Sequence, residues 1–157
     1  MSLSRTSAVG PLSLILLAAV VACGGDAPEE MPEAEAPAAA PAPAPMMVSI
    51  TEPVDGAVVD GPNVTVRLAA QGVEIRPAGE VLEGTGHHHI LLDADLNEPG
   101  TPVPTVPGSV IHLGDGSAEY TFEGVAAGEH RLITVVADGI HVPLQPWVVD
   151  TVTFTVR

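Results

Sequence analysis

Short runs of aliphatic and β-branched residues follow one another from residue 46 to the end of the chain, and Gly, Pro, Asp and Asn separate them. Apolar and polar residues alternate cleanly at 64–68 and 152–156, with the period of a half-buried strand. The pattern predicts strands at residues 47–51, 63–70, 88–92, 109–113, 118–123, 131–137 and 150–156, with a weaker one at 73–76. Short strands with turns at this spacing predict an all-β, immunoglobulin-like β-sandwich of about seven strands.

The beginning of the chain has a different pattern. An apolar run covers residues 12–22, after Arg5 and before Cys23. The run is shorter than the roughly 20 residues that span a bilayer, and it has the length of a signal-peptide core. Small residues before a cysteine resemble the bacterial lipoprotein signal, in which the cysteine is lipidated and becomes the mature N-terminus. We therefore expect an acylated Cys23 that attaches the protein to the membrane through lipid.

A spacer follows the cysteine. Residues 24–45 contain six Pro, eight Ala and five acidic residues without apolar periodicity, which predicts a solvated, semi-extended tether. Gly24 stands where an aspartate favours inner-membrane retention of Gram-negative lipoproteins, so the resemblance implies the outer membrane, facing the periplasm. The predicted organisation is a signal peptide at 1–22, a lipidated cysteine with its tether at 23–45, and one β-sandwich domain at 46–157.

The composition narrows the possible partners. The 157 residues include 20 acidic and 5 basic residues, for a formal net charge of −15 at pH 7. Phosphate backbones would repel such a chain, so we expect no nucleic-acid partner. The single cysteine excludes an intrachain disulfide and a multi-cysteine zinc site. Because there are only 2 Phe, 1 Trp and 1 Tyr, the core must be built mainly from Val, Leu, Ile and Ala.

Six histidines lie in the predicted domain, and three of them are consecutive at the start of a predicted strand. Because side chains alternate between the two faces of a strand, His87 and His89 share one face, and His88 lies on the other. Two imidazoles in this arrangement can converge on one metal ion, and neutral imidazole suits Zn(II), Cu(II) or Ni(II). We expect copper or zinc. The candidate ligands are His87, His88, His89, His112, His130 and His141, with Asp93 as a possible addition.

Structural explanations compete with the metal hypothesis. His88 fits the position of a core histidine that is bonded to a backbone carbonyl. His130 fits a polar residue at the start of a strand, and His112 fits one face of a strand. The segment 141–147 fits a rigid loop that caps the sandwich, with Trp147 in the core. On this interpretation the domain is a structural or interaction module for an envelope protein or a glycan, and its histidines are structural or sense pH.

Nothing in the sequence indicates a catalytic site. It contains no G-x-S-x-G, H-E-x-x-H or Walker motif, and no pair of carboxylates stands out. The H-x-H strand superficially resembles copper–zinc superoxide dismutase, but the later histidine spacings differ and one cysteine cannot form the disulfide of that family. We therefore expect a non-enzymatic, lipid-anchored envelope module that binds a divalent metal or an envelope protein.

Several segments, taken in order, resemble one family of small bacterial envelope domains. They are P-x-D-G-A-x-V at 53–59, G-x-G-H-H-H-I-L-L-D at 84–93, H-L-G-D-G at 112–116, A-x-G-E-H-x-L at 126–132 and A-D-G-x-H-V-P at 137–143. Together they resemble the DUF4399 family, a family of unknown function, over residues 48–157. The resemblance implies a fold and a set of positions but no activity. Those positions are His87, His88, His89, His130 and His141.

Overall fold

The computed structural model describes residues 44–157, which form nine strands and no helix. The strands are β1 (Met47–Glu52), β2 (Ala57–Val59), β3 (Val64–Gln71), β4 (Glu74–Ile75), β5 (Thr85–Leu92), β6 (Val110–Leu113), β7 (Glu119–Phe122), β8 (Gly128–Ala137) and β9 (Val149–Val156). All seven predicted strands are present, with ends displaced by at most three residues, and β4 is the weaker strand expected at 73–76.

One strand lies outside the predicted set, and part of the predicted organisation lies outside the described residues. The three-residue strand β2 was not predicted; it pairs in parallel with the end of β9 and is too short to show alternation. The signal peptide, Cys23 and most of the tether lie outside the described residues. Within residues 44–157, no helix is long and apolar enough to cross a membrane.

The strands form two sheets. The smaller sheet is antiparallel, in the order β1-β3-β7. The larger sheet has the order β2-β9-β8-β5, and the short strands β4 and β6 share the far edge of β5. There β4 pairs in parallel with the start of β5, and β6 pairs antiparallel with its remainder. This is the immunoglobulin-like β-sandwich that the strand pattern predicted, with nine strands instead of about seven.

The main core lies between the two sheets. The smaller sheet contributes Val66 and Phe122, and the larger sheet contributes Ile90, Leu132 and Phe154, all at most 4% exposed. Burying one such side chain stabilises the fold by roughly 1.5–3 kcal/mol. The core is aliphatic with two phenylalanines, as the composition required. The prediction that Trp147 fills the core was wrong: Trp147 is half-buried, and the adjacent Val148 is the buried residue.

A second, smaller core covers the outer face of the larger sheet. Leu91 of β5 and Ile133 and Val135 of β8 pack there against Val103. Val103 belongs to the proline-rich loop between β5 and β6, which folds back over the sheet. All eight residues of β5 are consequently buried, unlike those of an antiparallel strand that has one face in water. Four of the six histidines lie on this outer face.

Candidate metal centre

Four imidazole rings meet on the outer face of the larger sheet. His87 and His89 come from β5, and His112 comes from β6, where it lies directly opposite His89. His141 lies in the turn that follows β8. All six ring-centroid separations among the four residues fall between 4.7 and 5.7 Å. The face alternation predicted for His87 and His89 is confirmed.

The turn after β8 holds His141 in position. The carboxylate Oδ1 of Asp138 accepts hydrogen bonds from the backbone N–H groups of Ile140 and Val142, at 3.0 and 2.9 Å. The backbone N–H of Val103 donates to the carbonyl oxygen of His141 at 2.9 Å, which ties the turn to the covering loop. His141 has a φ of 74°, in the left-handed region that non-glycine residues seldom occupy. Such strain persists only where the surrounding contacts impose it.

The nitrogen atoms are close enough to share an ion. The Nε2 atoms of His87 and His89 are 3.0 Å apart. The ligating nitrogens of His87, His89 and His112 lie within 4.8 Å of one another. Tetrahedral Zn–N bonds of about 2.0–2.1 Å separate two nitrogens by roughly 3.3 Å. Small adjustments of the rings would therefore bring the three nitrogens onto one metal ion.

The two buried imidazoles are held in the neutral form that binds metals. Burial, reinforced by the charge of neighbouring histidines, lowers the pKa of His87 to about 4 and that of His89 to about 3. Burial and the nearby His141 also lower the pKa of His112. Near neutral pH these residues are uncharged, and each ring keeps one nitrogen lone pair. Because the Nε2 atom of one buried ring donates a hydrogen bond to the other, a bound metal would replace that bond, and the shared proton would move to Nδ1 of the donor ring.

The two buried histidines lack hydrogen bonds that a structural histidine would make. The Nδ1 atoms of His87 and His89 are buried without a hydrogen-bond partner among the described residues. An unpaired buried polar group costs about 1–3 kcal/mol. Aliphatic side chains at these two positions would avoid that cost. His88, on the inner face, has the same unpaired Nδ1 and a lowered pKa, so it also lacks at this atom the carbonyl bond expected of a core histidine. What sets His87 and His89 apart is that their rings converge with those of His112 and His141, and burial with perturbed pKa values is typical of functional sites.

The other two histidines lie apart from this cluster. His88 is 1% exposed and shares the inner face of β5 with Ile90, and burial lowers its pKa to about 4. His130 lies at the start of β8, where its Nδ1 donates to Asp93 at 2.7 Å and its Nε2 donates to the carbonyl oxygen of Ala126 at 2.9 Å. The bond to Asp93 raises the pKa of His130. His130 thus has the structural role that competed with the metal hypothesis, and Asp93 is its partner.

A pocket of about 300 Å³ opens beside the cluster. Three of the four histidines line it (His89, His112 and His141), together with Val110 and the loop segment 102–105. The sequence analysis did not identify this wall. The four prolines of the loop mark an extended segment, but only the fold shows that it lies over the histidines.

Two close contacts of glycines shape the site. A Cβ atom on Gly86 would lie 2.6 Å from the carbonyl oxygen of Ala137, so the absence of a side chain lets β8 approach β5 beside His87. A Cβ atom on Gly114 would clash with the imidazole ring of His112. Gly114 therefore leaves the space in which that ring lies.

Comparison with known proteins gives a family. The profile of the family described as "Domain of unknown function (DUF4399)" matches residues 66–157, more than half of the chain. Fibronectin(III)-like modules of Clostridium thermocellum CbhA are 20% identical, with 71% of this chain and 97% of that chain covered, at a TM-score of 0.43. No curated protein matches the sequence.

An engineered protein solved at 1.98 Å is also similar in structure. It is 16% identical, with 74% of this chain covered, at a TM-score of 0.45. The chain spans only 21% of that protein's length. Neither structural likeness carries an argument about function.

The depressed pKa values predict that the metal-free protein loses stability in mild acid. An unfolded histidine titrates near 6.5, whereas His87, His88 and His89 have values of about 4, 4 and 3 in the folded state. Between pH 6.5 and 4 the unfolded state therefore binds protons that the folded state does not, and the free energy of unfolding falls by about 1.4 kcal/mol per pH unit for each histidine. Urea unfolding at several pH values measures the slope.

Two variants test the assignment of that slope. His88→Leu removes one of the three groups and should flatten the slope by about a third. His130→Ala is the matched control, because the raised pKa of His130 stabilises the fold below pH 6.5 and that contribution is lost as the pH rises through the folded-state value. It should not flatten the acid slope. A urea midpoint that stays constant from pH 7.5 to 5 would contradict the prediction.

Proposed function

We propose that this chain, which belongs to the DUF4399 family, binds a transition-metal ion through His87, His89, His112 and His141. The observation that carries the proposal is the convergence of four imidazole rings with centroid separations of 4.7–5.7 Å. Two of these rings are buried, neutral near pH 7 and without structural partners at Nδ1. Metal binding through the converging nitrogens accounts for the placement of the rings, and it does not use the unpaired Nδ1 atoms.

Copper(II) or zinc is the ion that the ligands favour. The set contains only imidazole nitrogens, which suit Zn(II), Cu(II) and Ni(II) better than Mg²⁺ or Ca²⁺, since those ions prefer oxygen ligands. The formal net charge of −15 raises the local concentration of cations around the protein. The role proposed is binding: among the described residues, the pocket adds to the histidines one hydroxyl, that of Thr105, and no carboxylate or thiol.

Metal titration of the purified full-length protein tests the proposal. We expect one equivalent of Cu(II) or Zn(II) to bind tightly. His112→Ala removes a ligand from an exposed position, and the double variant His87→Ala/His89→Ala removes the buried pair. Each should weaken binding by more than the roughly 10- to 100-fold that the loss of a supporting residue costs. Isothermal titration calorimetry measures the affinity.

His130→Ala is the matched control, since it removes an imidazole outside the cluster and should leave the metal affinity unchanged. Circular dichroism confirms that each variant folds. If the wild type binds neither metal stoichiometrically, or if the double variant keeps full affinity, the metal proposal is wrong. The domain would then be an interaction module with structural histidines.

Gly114→Ala provides a test that keeps every ligand in place. The added Cβ collides with the ring of His112, which lies on an exposed edge strand and can move away. We expect the metal affinity to fall by about tenfold or more, comparable to the loss of a supporting residue. The urea midpoint should change little. An affinity equal to that of the wild type would exclude His112 from the ligand set.

For the cellular setting, we propose that lipid on Cys23 anchors the protein to the outer membrane, facing the periplasm. The apolar run at 12–22 and the small residues before Cys23 support this. There the domain would collect metal ions or meet an envelope protein. Mass spectrometry of the mature N-terminus should find acylated Cys23 in the wild type and no acylation in Cys23→Ser. Because an uncleaved signal peptide can itself hold the variant in the membrane, the modification decides the test, and an unmodified Cys23 in the membrane-bound wild type would refute the anchor.

A further inference from the structure

The pocket beside the histidines lies on one side of the proposed metal centre only. His89, His112 and His141 line the pocket, whereas His87 is fully buried and does not reach it. The opposite side is closed by the pairing of β5 with β8. A metal ion held by these residues would therefore have a closed side toward the sheet and an open side toward the pocket.

The number of converging nitrogens leaves room for a further ligand. The compact group consists of His87, His89 and His112, with ligating nitrogens within 4.8 Å of one another, and His141 is a ring neighbour outside that group. Zinc sites that have three protein ligands keep a fourth position for water or another small molecule, whereas structural sites are closed by four. If His141 binds as well, zinc is closed by four ligands, whereas tetragonal Cu(II) still has an axial position; the open position is therefore inferred for Cu(II).

The pocket walls indicate the chemical class of that ligand. Segment 102–105 and Val110 contribute no charged side chain, and Thr105 is the only hydroxyl among them. The prolines at 102 and 104 lack an N–H, and the N–H of Val103 is bonded to His141. The wall itself therefore offers few groups that could hold a ligand, and it contains no carboxylate. The nearest carboxylates are those of Asp138 and Asp115, which act on His87 and His112, so the charge of the metal has to outweigh them and the net charge of −15. Neutral imidazoles leave the charge of a divalent ion uncompensated, which attracts a small anion.

We propose, on the basis of the metal function proposed above, that the centre keeps one coordination position open to this pocket and binds a small anion there. The volume of about 300 Å³ lies at the lower end of ligand pockets and is sufficient for a small anion. Binding to the metal supplies the affinity, since the uncharged wall adds few polar contacts.

Sodium azide, added to the Cu(II)-loaded full-length protein, tests this inference. Azide bound to Cu(II) produces a charge-transfer absorption band, and we expect that band to appear and saturate with added azide. Val110→Phe fills the pocket, since Val110 lines it two residues before His112 on the same strand face. This variant should bind copper as the wild type does and should raise the apparent dissociation constant of azide at least tenfold.

Val106→Phe is the matched control, because Val106 is exposed in the same loop but does not line the pocket. It should bind azide as the wild type does. If Val110→Phe does not fold, Thr105→Phe places the same ring on the opposite, exposed wall. Thr105→Phe should likewise raise the apparent dissociation constant of azide at least tenfold.

The outcomes separate this inference from the metal proposal. Stoichiometric copper without an azide band overturns the open position and leaves the metal function standing. An azide band that neither pocket-filling variant weakens overturns the assignment to this pocket. Failure to bind copper or zinc at all overturns both proposals.

Discussion

The candidate site depends on the burial of β5 on both of its faces. The inner face carries Ile90 and Leu92 into the main core, and the outer face carries His87, His89 and Leu91 under the proline-rich loop. Side chains alternate between the two faces of β5. A slip of one residue in the pairing of β5 would therefore place the imidazoles of His87 and His89 in the main core and move Ile90 and Leu92 out of it. The free energy of hydrophobic burial therefore fixes which two of the three consecutive histidines reach the outer face.

The buried histidines lower the stability of the fold, and they are also the groups proposed to bind a metal ion. Each unpaired buried nitrogen costs about 1–3 kcal/mol, and the cost grows when acid drives protonation of the cluster. Each large aliphatic or aromatic residue of the main core contributes roughly 1.5–3 kcal/mol in the opposite direction. The core therefore supports an outer face that is not itself optimised for packing. Departures of this kind from good packing are expected at functional sites.

The sequence was sufficient to predict every strand except the three-residue β2, because apolar alternation and turn residues are local signals. It also predicted that His87 and His89 share a face. It could not distinguish His112 and His141 from His130, because that choice depends on strand register. In the structure His87 pairs with Ala137, whereas His130 pairs with Phe154 at the other end of β8, seven residues from Ala137. At about 3.3 Å per residue this separation is roughly 23 Å.

The four rings also differ in how firmly the fold holds them. His87 and His89 lie on a strand paired on both sides, while His112 lies on the four-residue edge strand β6 and His141 on a turn. A metal ion would therefore take its position from the buried pair, and the two outer residues would adjust to it. An ion held by all of them would link β5, β6 and the turn after β8, and its binding free energy would add directly to the stability of the folded state. Bound at the converging Nε2 atoms, the ion would offset the cost of the unpaired Nδ1 atoms without pairing them, and the stability of the outer face would then depend on metal.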